Sequence, residues 1–422
     1  MFNIQFISMN TAKDFLLSIL SLIILTFCVS CEHEKIEPES TLAIDILNNG
    51  KGLRVGAAVV NINPKNVIGA SLEGYEPRVS TGINDTLTSR CIIIADNSTI
   101  VALISLDLIG ITEYKANAMK SQIRQFTGIL EENIFIHATH THSGPSIMDG
   151  RLDKAYLSSV YENTRDAVVQ ALNSLENVKA IVRSGTSSAK TVNRRNPKRE
   201  VINDFTIIEF QNDIHKNVAS ILNFSCHPVV LGPRSMKISA DYVHYLRKSV
   251  EEKIGGIAIF FNGSFGNINP ARFFEGNPYD RGDGTFNMAR DFGETLANDM
   301  LFNYTKYDTA SIAIRCITNQ ISRNIIQKTS ISILDLGIIQ IAMLPGEPFE
   351  SFGADLEDIM PGPYKFVIGL TNDYIGYITP EDEWGNCTNS FISGCYEETL
   401  GGGPDVANIL IEGFRKIIDE LN

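Results

Sequence analysis

Apolar and polar positions along the chain alternate between two kinds of segment. Short runs rich in β-branched residues, at 91–95, 100–106, 133–136, 180–182, 205–210, 219–224, 257–261, 331–343 and 366–370, predict strands. Longer amphipathic stretches at 114–126, 154–175, 242–253, 286–303 and 406–421 predict helices, with Asp405 placed to cap the last. Such alternation predicts an α/β fold. The extended apolar run across 311–343 adds antiparallel pairing, so the expected architecture is mixed β-sheets flanked by helices in a single large domain.

The first 31 residues break this pattern. Lys13 and Asp14 precede an uncharged apolar run, 15–29, about as long as the core of a signal peptide. A membrane span needs roughly 20 apolar residues. The run ends in Cys28-Val29-Ser30-Cys31, which resembles a bacterial lipobox with Cys28 where an aliphatic residue is usual. Residues 1–30 are therefore expected to be a lipoprotein-type signal peptide. Cys31 would carry lipid, 31–52 would form an acidic tether, and 53–422 would form the catalytic domain. The expected location is outside the cytoplasm, at a membrane surface, with a plain signal peptide or an uncleaved anchor as the alternative. The remaining cysteines, 91, 226, 316, 387 and 395, are an odd, sparse set and no disulfide framework. Cys387 and Cys395 are close enough to pair, or to remain two thiols. A formal net charge of −13 over 422 residues argues against a nucleic-acid partner, which would call for a basic face.

Candidate chemistry gathers where strands end. Of seven histidines, three lie in His137-Ala138-Thr139-His140-Thr141-His142-Ser143-Gly144-Pro145. Side chains two apart on a strand share a face, so His140 and His142 can aim at one spot, and His137 cannot if the strand is regular. Imidazole is a common zinc ligand, although a polar strand end whose histidines only hydrogen-bond fits this segment equally well. His227 ends another apolar strand, beside a Cys226 that faces the other way. Glu347, held in Pro345-Gly346-Glu347-Pro348, suits a ligand, a general base or an ordinary turn glutamate. The tyrosines of the turn-rich 372–380 segment read as packing residues. The loop 262–270 lacks Gly-Lys-Ser/Thr and is no phosphate loop, and no Gly-x-Ser-x-Gly elbow is present.

Taken in order, these segments resemble the neutral/alkaline non-lysosomal ceramidases. The resemblance runs from about Val55 to about Gly403. Its most specific block is residues 138–145; Asn193-Arg194-Arg195, Phe224 to Pro228, Ser239-Ala240-Asp241, the loop to Pro270, Pro345-Gly346-Glu347, Tyr377-Ile378-Thr379 and Tyr396-Glu397 follow. It implies one zinc held by His140, His227, Glu347 and Tyr377. His142, Arg194, Asn269 and Tyr396 would be the catalytic residues around it, and the reaction would be hydrolysis of the amide of an N-acyl sphingoid base. Two departures bear on the substrate. Asn269 stands where these enzymes carry serine, with Asn267 at the adjacent acidic position, and no counterpart of the family's C-terminal immunoglobulin-like domain is expected in the last residues.

A zinc-activated water as nucleophile requires no serine. In that scheme His142 passes a proton to the leaving amine, Tyr396 and the Asn269 amide stabilise the oxyanion, and Arg194 orients a head group or product carboxylate. The alternatives are a hydrolase of the same scaffold acting on another amide or ester, and a non-catalytic surface-binding lipoprotein.

Overall fold

The computed structural model describes residues 40–271, 284–322, 328–387 and 395–421. The expected signal peptide and Cys31 lie outside the described residues. Within the stretch expected to be a tether, Leu42–Asn49 form a helix, α1, whose Ala43 is buried in the core.

The central strands are apolar on consecutive positions because both of their faces are covered. In Thr88–Ala95 (β2), Cys91 and Ile93 face one core while Ile92 and Ile94 face another, as the period of two requires. β2 lies between Arg54–Asn61 (β1) and Ile100–Leu106 (β3), antiparallel to both, and Ile134–Ala138 (β4) runs parallel to β3. On the other side, Glu176–Thr186 (β5) joins β1, followed by Asp204–Asn212 (β6), Asn217–Phe224 (β7) and Ile257–Asn262 (β8), while Lys306–Ala310 (β9) flanks β5. This mixed sheet has nine strands. A second sheet of four is built from Arg315–Ser322 (β10), Lys328–Asp335 (β11), Ile339–Met343 (β12) and Tyr364–Ile368 (β13).

Apolar contacts fix the layers. Glu113–Thr127 (α2) and Lys154–Asn173 (α3) cover the outer face of β1–β4. Tyr242–Ile254 (α4) and Phe286–Phe302 (α5) cover β6–β8. The inner faces of the two sheets share a core containing Ile92, Leu103, Ile208, Leu334, Ile341 and Phe366. Glu350–Ile359 (α6) and Val406–Leu421 (α8) close the outer face of the small sheet, and the short Tyr396–Leu400 (α7) precedes α8. The result is helix, sheet, sheet, helix, in agreement with the expected α/β class.

The run expected as one strand over 331–343 is instead the hairpin β11–β12. Leu336 N–H bonds back to Ile339 and Gly337 turns at φ 81°, a left-handed value that favours glycine. The strand pairs about this turn as Ser332 with Met343, through to Asp335 with Gln340. Among the described residues, no helix is long and apolar enough to cross a membrane.

Candidate metal and catalytic site

β4 ends at Ala138, and the chain then leaves the sheet. Thr139 N–H bonds to Leu106 and His140 N–H to Leu108, and His140 sits at φ 71°. The strand-period argument for aligning His140 with His142 is therefore overturned: neither residue is on the strand. A left-handed kink at His140 turns the chain so that the two Nε2 atoms lie 3.1 Å apart. His137, which is on the strand, accepts a hydrogen bond at Nε2 from Asn262 N–H and serves the junction with β8.

His227 follows β7 and joins the same point. Its Nε2 is 3.1 Å from Glu347 Oε2, and that oxygen is 3.4 Å from His140 Nε2. The ligating atoms of His140, His142 and His227 all lie within 4.8 Å of one another, so this group can hold a metal ion. Metal–ligand bonds of about 2.1 Å in a tetrahedron put ligand atoms about 3.4 Å apart, close to the 3.4 and 3.1 Å that separate Glu347 Oε2 from His140 and His227. The tautomers suit the same role. His140 Nδ1 donates to Ile109 carbonyl at 2.6 Å and His227 Nδ1 to Phe265 carbonyl at 2.9 Å, which leaves both Nε2 lone pairs aimed inward. Burial holds all three histidines below the ordinary range, His227 at about 4, so each imidazole is neutral at pH 7 and able to ligate. Burial opposes ionisation of Glu347, but His140, His227 and Arg194 outweigh it and hold the carboxyl down at about 2.

Two short strand pairs bring the remaining candidates in. Glu347–Pro348 run parallel to Tyr377–Ile378 with Glu347 opposite Tyr377, which sets these two residues side by side from opposite ends of α6 and β13. Ile268–Pro270 run antiparallel to Thr191–Asn193, delivering Arg194 to Asn269. The Arg194 guanidinium is 3% exposed and engaged on all three nitrogens: Nε to Glu397, Nη1 to Asn269 Oδ1 at 3.2 Å, and Nη2 to Gly266 carbonyl at 2.7 Å. It also lies 5.4 Å from the ring centres of both Tyr377 and Tyr396. Burial pushes the Tyr396 phenol up to about 12 against the pull of Arg194, so its hydroxyl keeps the proton that a donor needs. Asn267, expected beside the chemistry, accepts Glu350 N–H on Oδ1 and holds the start of α6.

Four contributors escaped sequence reasoning. Tyr374 donates to Glu347 Oε1 at 2.9 Å, and the Tyr-x-x-Tyr spacing to Tyr377 was the only available signal. Tyr75 packs on the His142 ring at 4.8 Å between centres, and Gly74, at φ 96°, lies so close to that ring that a Cβ would sit 2.6 Å from it. Glu73 takes Ile147 and Met148 N–H, tying this cover to the loop after His142.

No protein-family description and no curated relative matches the chain. Solved structures do. Neutral ceramidase from Pseudomonas aeruginosa superposes with a TM-score of 0.74 over 88% of this chain and 75% of its own, at 13% identity. A ceramidase complexed with C2 gives 0.74 over 86% and 74%, at 14% identity. The chain has the fold of these ceramidases.

Proposed function

We propose that this protein is a zinc-dependent amidohydrolase that cleaves the amide bond of an N-acyl sphingoid base. The observation that carries the reading is the meeting of His140, His142, His227 and the Glu347 carboxylate at one buried point within a ceramidase fold. Zinc bound there would supply a Lewis acid and an activated water.

The ligands are assigned as His140, His227, Glu347 and Tyr377, with His142 beside them. His142 is half-buried and its Nδ1 is without a partner among the described residues; neutral at rest, it would take a proton from the attacking water and pass it to the leaving amine. Tyr396 and the Asn269 side-chain amide donate to the developing oxyanion; one such donor is worth roughly 3 kcal/mol. With its donors engaged, Arg194 serves better to orient Asn269 and Tyr396 than to bind substrate itself. Lipid on Cys31 would hold the domain at the membrane surface where such substrates reside.

Asn269 in the serine position favours a second reading, a hydrolase of the same scaffold acting on another amide. Both are tested by metal analysis and by turnover of ceramide and short N-acyl amides with and without chelator. Failure to bind zinc at saturation excludes both, and chelator-sensitive turnover of the short amides alone selects the second.

A further inference from the structure

Glu347 offers two oxygens, and they face different partners. Oε2 points to His140 Nε2 at 3.4 Å and His227 Nε2 at 3.1 Å, while Oε1 accepts the Tyr374 hydroxyl at 2.9 Å. Glu347 is fully buried, so water does not compete for Oε1.

The segment carrying Tyr374 is fixed from several sides. Asn372, at φ 63°, exchanges hydrogen bonds with Ile136: its N–H donates to the carbonyl and its Oδ1 accepts the N–H. Asp373 accepts Glu113 N–H at the start of α2 on one oxygen and the Thr329 hydroxyl on the other. The Tyr374 ring lies against Gly110, where a Cβ would come within 3.3 Å.

From this geometry we infer that Tyr374 is a positioning residue that reserves one oxygen of Glu347 and so makes it a one-oxygen ligand. This rests on the proposed metal site. A carboxylate held to one oxygen suits four-coordinate zinc, whereas a free carboxylate can turn to give both oxygens, as larger cations prefer. Partners of this kind typically govern metal affinity by 10–100-fold.

The test is Tyr374→Phe, which keeps the ring and removes the hydroxyl. Zinc affinity by competition with a chromophoric chelator should fall at least 10-fold. The cobalt-substituted variant should lose intensity in its visible d–d bands, the mark of a move away from four-coordination, while its circular dichroism stays unchanged. Wild-type affinity together with a wild-type cobalt spectrum overturns the inference. If the wild type itself binds neither metal, the proposed site fails instead, and His140→Ala supplies the metal-free reference. Should Tyr374→Phe fold poorly, Tyr374→His, which restores a donor, decides the matter: recovered affinity supports the assignment, and affinity as low as that of the metal-free reference overturns it.

Discussion

Around the proposed metal point each side chain is expected to have a separable task. His140→Ala removes a nitrogen whose lone pair is fixed by its bond to Ile109, and it should abolish both metal binding and turnover. His142→Ala should abolish turnover while zinc remains measurable by elemental analysis; loss of the metal would instead make His142 a ligand. A residue far from the site sets a pH dependence. Burial pulls the Lys120 ammonium down to about 8 from its usual 10.5, against the attraction of Glu131. Between those values the unfolded chain holds a proton that the folded one lacks, so stability rises with pH across that window and the burial penalty is largest below it. Lys120→Met should stabilise the protein at pH 7 by on the order of 2 kcal/mol and flatten the rise between pH 8 and 10.5, read by denaturant titration at each pH. The sequence made the histidines and Glu347 visible as residue types in strand-end segments. It could not show that His140 is left-handed, because histidine carries no mark of positive φ comparable to glycine.

Among the elements, the connections matter more than the strands. Segment 370–377 crosses the end of β4 and carries Tyr374 and Tyr377, and Asn372 secures it at Ile136. Asn372→Ala strands the buried Ile136 N–H and should cost about 2 kcal/mol in denaturation. It should also weaken zinc binding, because the tyrosine-bearing segment loosens. Most of the longer strands and five of the helices were legible because buried strands such as β2 are continuous apolar runs and the helices are amphipathic; the central strand β1, whose run is diluted by Gly56, Ala57 and Ala58, was not. The two-residue pair that joins Glu347 to Tyr377 was not, since its partners are short, lack a period, and meet only through tertiary contact. The β11–β12 turn was hidden for a related reason: Leu336, Ile338 and Ile339 continue the apolar run through it and Gly337 alone interrupts them. Cys387 and Cys395 are joined, at 5.5 Å between Cα atoms, directly before Tyr396, and spacing alone left that open.

At the scale of the whole molecule, the site draws on both sheets: His140 and His227 follow strands of the large sheet, and Glu347 follows β12 of the small one. A metal held there would tie the two sheets together and favour the folded chain, in which alone these ligands are gathered. Zinc at 1,000 times its dissociation constant should therefore raise stability by about 4 kcal/mol, seen as a higher melting temperature that a chelator reverses. The central claim, metal-dependent cleavage of an N-acyl sphingoid base, is tested most directly by incubating the purified protein with ceramide and quantifying released fatty acid, with and without chelator and with zinc restored. The account predicts release that stops with chelator, returns with zinc, and is absent in His140→Ala. Release that survives complete metal removal, or its absence from zinc-loaded protein, would contradict it.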